Sequence, residues 1–197
     1  MMAARGRPRE FDVDEALERA VDVFWRQGYE GTTLEDLTNA MSISRPSLYA
    51  AFGNKEGTFR QAIGRYARVE MSYIDAALAM PTARAVAEHY LRSNVVSITL
   101  PDRPRGCLSI QGGLSGHPTD QRIVDFLNES RGAGEARFVR RFQQAIDEGD
   151  LSASEDPAEL ARYLATVTAG LAVQASAGAS RPDLARVAER ALAAFPR

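Results

Sequence analysis

The sequence has 197 residues, 24 basic and 26 acidic, for a formal net charge of −2. With 45% hydrophobic and 25% charged residues it has ordinary globular composition, long enough for a sizeable core in one or two domains, and neither disordered nor fibrous. The near-neutral balance excludes a binder that is basic throughout, though not a local basic patch, and a single cysteine excludes an intrachain disulfide or a thiolate zinc cage and fits a reducing compartment.

Strand signals are nearly absent, and the longest β-branched cluster, Val95 to Thr99, closes a stretch that already reads as helix. The first predicted helix starts after Asp12 as N-cap. It carries Leu17, Ala20, Val21 and Phe24 on one face and Asp14, Glu15, Glu18 and Asp22 on the other, and Gly28 suits a left-handed stop. A second starts at Thr32 or Thr33, each with an acid three residues on (Glu35, Asp36), and ends near Ala40. A third is short, from Ser44 to about Ala50, with Pro46 tolerated in its first turn. After a Phe52-Gly53-Asn54 turn, one long helix is predicted from about Lys55 towards Ala79, closed by Pro81. Thr82 to Ile98 is helical, and Pro101, Pro104 and Gly106 mark a loop. Cys107 to Gly116 is a glycine-rich apolar piece with room for a short helix. Thr119 to Glu148 reads as one long helix with Ile123, Phe126, Leu127, Phe138, Phe142 and Ile146 inward, loosened around Gly132 and Gly134. Asp156 caps a helix through Ala177, and Pro182 opens the last one, ending near Phe195. The expectation is an all-α fold of about nine helices.

Three short helices in the first fifty residues, the last two joined by a turn of about four residues, match a helix-turn-helix plan. Residues 1–9 hold Arg5, Arg7 and Arg9 and no acid. Such an arm can track phosphates or enter a narrow minor groove, and it equally fits a solvated terminus. Residues 1–68 contain ten basic and ten acidic side chains, so a DNA-binding face requires the acids of the first helix to be turned away.

Three stretches carry a family likeness: Phe24-Trp25-Arg26-Gln27-Gly28-Tyr29-Glu30-Gly31-Thr32-Thr33, then Ile43-Ser44-Arg45-Pro46-Ser47-Leu48-Tyr49, then Phe52-Gly53-Asn54-Lys55-Glu56. In order and spacing, over roughly the first sixty residues, they resemble the TetR family of bacterial transcriptional regulators. The resemblance implies an N-terminal arm and DNA-binding part over 1–54 and a helical ligand-binding and dimerisation part over 55–197, joined by the helix from about 55 to 79. It implies a phosphate at Thr33, where a helix N-terminus offers free N–H groups. Ser44, Arg45, Pro46 and Ser47 would open the recognition helix, with Arg45 placed for a bidentate contact to guanine. Tyr49 and Lys55, the only lysine, would clamp the DNA backbone; Tyr49 could instead pack on the first helix. Two positions depart from the family pattern: Ser42, where glycine is usual in the turn, and Ala51, where histidine or tyrosine is common.

Beyond residue 60 the likeness is to one subgroup, through Gly106-Cys107-Leu108, Asp147 to Leu151, and Asp156 to Leu160 leading to Gln174-Ala175. In that fold the fourth to seventh helices enclose a ligand cavity and the last two form a four-helix bundle with a second copy. Ala161, Leu164, Ala165, Thr168, Leu171 and Ala172 make a small apolar face suited to such a homodimer, or to internal core. Cavity candidates are Met71, Ile74, Tyr90, Cys107, Ile110, Gln111, Leu114, Phe126, Phe138, Phe142, Tyr163 and Val167, with Arg122 and Arg137 able to turn inward. A medium-sized organic inducer would suit them. Cys107 is either a redox- or electrophile-sensitive switch, activated by Arg103, Arg105 or a helix N-terminus, or a small buried apolar residue.

Enzyme chemistry finds little support. His89 and His117 are the only histidines, and no HExxH, phosphate loop or dinucleotide fingerprint appears. No metal or cofactor is expected. No apolar run approaches the ~20 residues that span a bilayer, and no apolar stretch follows the N-terminal arginines as in a secretory signal. The sequence therefore suggests a soluble, cytoplasmic, homodimeric regulator of transcription, most simply a repressor of a palindromic double-stranded operator, with a helical enzyme or carrier as the alternative.

Overall fold

The computed structural model describes residues 11–111 and 120–196. They form ten helices and no strand: α1 (Val13–Gly31), α2 (Leu34–Met41), α3 (Arg45–Phe52), α4 (Lys55–Val69), α5 (Tyr73–Leu78), α6 (Ala83–Ser97), α7 (Leu108–Gln111), α8 (Gln121–Asp147), α9 (Pro157–Ser176) and α10 (Arg181–Ala194). Side chains that accept from the orphan N–H groups of the first turn start most of them. Asp12 does so for α1, Asn54 for α4 (2.8 Å to Gly57 N), Thr82 for α6 and Asp156 for α9.

Two turns depend on left-handed backbone. Gly28 interrupts α1 at φ 71°, ψ 174°, a region open essentially to glycine, and so swings Tyr29 onto the ring of Phe59. Ser42 closes α2 at φ 56°, ψ 42°, and its hydroxyl accepts from Arg19 Nη1 at 3.0 Å. The serine thus takes the conformation that glycine would take there at no steric cost, with one hydrogen bond in return.

The long helix expected from Lys55 to Ala79 is two helices. After Val69 the N–H of Met71 donates to Tyr66 O, five residues back, and the Ser72 hydroxyl donates to Val69 O. Glu70 pairs with Arg103 at 3.0 Å. No proline or glycine marks the break; a partner distant in sequence meets the chain beside it. Conversely, α8 runs unbroken through Gly132 and Gly134, where loosening was expected.

A single core runs from α1 to α10, and α4 is its bridge. On one side Phe59 meets Phe24 (4.9 Å between centroids, near perpendicular) and Tyr29 (5.1 Å), with Phe126 of α8 closing the cluster. Around it lie ion pairs: Arg65 with Asp14 and Glu18, and Arg103 with Glu18, Asp22 and Glu70. The carboxylates of Asp14, Glu18 and Asp22 are 37–61% exposed, so each of their pairs is worth at most about 1 kcal/mol. Burying an aromatic ring completely outweighs them. Phe59→Ala is expected to lose about 3–5 kcal/mol in denaturant unfolding. A loss under about 1 kcal/mol would show that the ion pairs, not the rings, hold α1 to α4.

Candidate nucleic-acid interface and ligand cavity

Helices α2 and α3 present the DNA-binding candidates. Thr33 caps α2 in a reciprocal box: its hydroxyl accepts the Asp36 N–H (3.1 Å) and donates to the Asp36 carboxylate (2.7 Å), which also accepts the Thr33 N–H (2.8 Å). These bonds, led by the hydroxyl's, hold the Asp36 carboxyl below its usual range. Asp36 therefore already occupies part of the anion site expected at this helix end, leaving the Leu34 and Glu35 N–H groups outside the box. Ser44 caps α3 by accepting the Ser47 N–H (3.2 Å), and the two hydroxyls lie 2.9 Å apart. Arg45 and Pro46 stand exposed in the first turn. Tyr49, one turn on from Arg45, is 50% exposed and projects outward rather than packing against α1.

Lys55 opens α4 with its ammonium 4.3 Å from the centre of the Tyr29 ring. Partial burial lowers its pKa and nearby Glu30 opposes this. Of the acids of α1, Glu30 is the one near Lys55, whereas Asp14, Glu18 and Asp22 are engaged by Arg65, Arg68 and Arg103. Arg5 and Arg7 of the arm fall outside the described residues.

A cavity of about 680 Å³ opens beyond α4, between α4, α5, α6, α8, α9 and the segment around α7. Six of the expected residues line it: Met71, Ile74, Tyr90, Cys107, Ile110 and Phe138. Others lie elsewhere. Phe142 is fully buried against Phe138 and Phe195, and Phe126 packs on Phe59 beneath Arg60. Tyr163 donates to Ala191 O, Gln111 donates to Arg105 O, and Val167 packs on the core outside the wall. Leu114 is outside the described residues. Arg122 pairs with Asp120 and Glu56, away from the cavity, whereas Arg137 reaches its wall paired with Asp75.

Four further residues line the cavity: Tyr66, Tyr73 and Asn94, which have no role in the sequence reading, and Thr168, which it places on the dimer face. Their signal was a polar atom within an otherwise apolar face, Asn94 being one turn beyond Tyr90. Tyr90 and Thr168 pair at 3.2 Å, and burial pushes the Tyr90 hydroxyl up to about 12. Tyr66 donates to Cys107 Sγ (3.3 Å), and burial, then the thiol, raises its pKa well above the usual range. Neither arginine expected to activate Cys107 bonds to it: Arg103 is held by acids and Arg105 donates to Ala179 O. The other neighbour of Sγ is Ser109 Oγ, at 3.0 Å.

The expected dimer face is corrected. Ala161, Leu164, Thr168, Leu171 and Ala172 are buried within the chain, and Ala165, Thr168 and Ala172 line the cavity. The most apolar side of α9 serves its own core. Its exposed residues include Thr166, Gly170 and Val173, and those of α10 include Val187 and Ala194, with Val173 42% and Val187 53% exposed. Among the described residues, no group of three or more His, Cys, Asp or Glu could hold a metal, and no helix is long and apolar enough to cross a membrane.

Comparisons with known proteins agree with this architecture. The family model for bacterial regulatory proteins of the tetR family matches residues 16–62. The chain is 34% identical to the HTH-type transcriptional repressor ComR of Escherichia coli K12, over 98% of this chain and 93% of that one. It is 46% identical to a cysteine-substituted TetR family transcriptional regulator CifR, solved with 26-bp double-strand operator DNA, with a TM-score of 0.90 over 96% of this chain and all of that one. A TetR regulator from Rhodococcus sp. RHA1 is 38% identical over 94% of this chain, with a TM-score of 0.63. With the helix-turn-helix geometry and the likeness over nearly the whole length, the chain belongs to the TetR family of bacterial transcriptional regulators.

Proposed function

We propose that this protein is a cytoplasmic repressor that binds a palindromic operator as a homodimer and is released by a small organic inducer. In this reading residues 1–54 bind DNA and residues 55–197 bind ligand and partner. The observation that carries it is the double use of α4: Lys55 opens it at the DNA-facing end, and Ile63, Tyr66 and Ala67 form the cavity wall two to three turns on. A ligand that fits the cavity better with α4 displaced shifts the population toward that state and changes the spacing of the two heads. Its similarity to a repressor and to a regulator held on operator DNA supports the same reading.

In the bound state the exposed start of α3, with Arg45, Pro46 and Ser47 after the Ser44 cap, meets base edges and Arg45 reads guanine; Thr33, Tyr49 and Lys55 position the DNA backbone, and the arginines of the arm add charge. The outward faces of α9 and α10 meet the second copy.

The test is binding of the full chain to DNA from its own upstream region with excess random competitor. Salt-sensitive, competitor-resistant binding is expected, and its absence both there and after selection from random DNA overturns the repressor reading. Arg45→Ala is expected to cost about 1–3 kcal/mol at the operator and flatten base discrimination, whereas Lys55→Ala weakens all DNA alike and reduces the salt slope by about 1. Equal losses on operator and random DNA for both variants would sink these roles. Separately, Val173→Glu with Val187→Glu should turn the dimer into monomers in sedimentation while leaving the helix content unchanged. A persisting dimer would place the twofold contact elsewhere.

A second reading is favoured by one observation, the position of Cys107 on the cavity wall with a hydroxyl donating to its sulfur. In this reading the switch is covalent. With N-ethylmaleimide, Sγ adds to the ring alkene and the thiol proton ends on the adjacent carbon. Operator release by this reagent that vanishes in Cys107→Ser is the expected result; unchanged release in the variant rules the switch out.

A further inference from the structure

One wall of the cavity carries a hydrogen-bonding pair whose needs the described residues do not meet. Asn94 of α6 is 5% exposed, and its amide Nδ2 donates to Tyr73 Oη of α5 at 3.0 Å. The other amide atom, Oδ1, has no partner although it is buried. Tyr73 makes no other hydrogen bond among the described residues, so its own O–H proton is unused as well. Burial keeps that phenol protonated, well above its usual range. The pair therefore offers one acceptor and one donor side by side. Turning the amide over leaves this unchanged: Tyr73 then donates to Oδ1, and the amide N–H becomes the free donor beside the phenol's free lone pair. An unmet buried polar atom destabilises the empty protein, and a complementary group removes that cost.

The arginines on the rest of the wall are engaged by protein groups, two of the three by carboxylates. Arg137 is paired with Asp75, Arg162 with Glu135 at 2.7 Å, and Arg131 donates to Ser109 O and Asn128 Oδ1. Among the described residues no cation pairs with Tyr73 or Asn94 to compensate a desolvated anion. The rings of Tyr73, Tyr90 and Phe138, consecutive neighbours 4.6–6.1 Å apart, and the side chains of Met71 and Ile74 supply apolar contact.

We propose that the inducer is an uncharged, largely apolar molecule bearing a hydroxyl, and that this hydroxyl seats on the Tyr73–Asn94 pair, donating to one partner and accepting from the other. This rests on the cavity being the ligand site, and the test separates the two. The probes are 2-naphthol, naphthalene and 2-naphthoate, with binding to the full-length dimer read by calorimetry at neutral pH. 2-Naphthol is expected to bind about tenfold more tightly than naphthalene, and 2-naphthoate more weakly than either. In Asn94→Leu combined with Tyr73→Phe, 2-naphthol should fall to the affinity of naphthalene while naphthalene is unaffected. Removing both polar partners together leaves no orphan, so this double variant should melt no lower than the wild type. Equal binding of 2-naphthol and naphthalene, a preference for 2-naphthoate, or an unchanged preference in the double variant overturns the hydroxyl assignment and leaves the cavity standing. Binding of none of the three to the wild type overturns the cavity as a site for this class of ligand, and the hydroxyl assignment with it.

Discussion

The contact on which the rest depends is the one Tyr66 makes in two directions. Its ring stands edge-on to Trp25 of α1, 4.9 Å between centroids, and its hydroxyl reaches Cys107 Sγ on the cavity wall. Because Tyr66 is almost completely buried, it has no room to satisfy one neighbour at the other's expense. Interiors packed this densely respond to an inserted group by moving whole elements rather than compressing. For α4 the regular bonding gives way just past its C-terminal end, at Met71, whose N–H reaches back five residues to Tyr66 O.

The electrostatics follow the same division. A chain of net charge −2 can present a DNA-binding face because its arginines are spent unevenly. Arg65, Arg68 and Arg103 cover the acids of α1 on the side of α4 and the 101–106 loop, and Arg45 and Lys55 have no carboxylate within ion-pairing distance among the described residues. Arg103 also reaches Glu70, so one guanidinium ties α1 to the end of α4. These pairs contribute little stability. Their effect is on orientation, since moving α4 changes which acids remain covered.

Local physics made the head legible in sequence. Asp12, Thr33 and Ser44 cap where their side chains can accept an N–H, Gly28 turns left-handed, and Tyr49 is exposed. The body was legible as helices but not as faces. On α9 the richest apolar stripe was assigned to the partner, yet an amphipathic helix gives its most apolar side to its own core. The outer stripe of Thr166, Gly170 and Val173 was too mixed to stand out. The break between α4 and α5 had no local signal, and Arg103, which pairs with Glu70 beside it, lies more than thirty residues away. Cavity residues were half legible for a related reason: Phe142 and Met71 look alike in a periodic pattern, and only packing decides which borders empty space. The polar atoms on that wall, Asn94 above all, carried more information than the apolar ones.

Trp25 has one more consequence. It is the only tryptophan in the sequence, 4% exposed, with its indole N–H unbonded and its ring against Tyr66. Its fluorescence therefore comes from one buried site, the seam between α1 and α4, and carries no background from any other indole. Water admitted to that seam would shift the emission to longer wavelength. The native chain thus holds an optical gauge of the joint between its two ends, with no label attached.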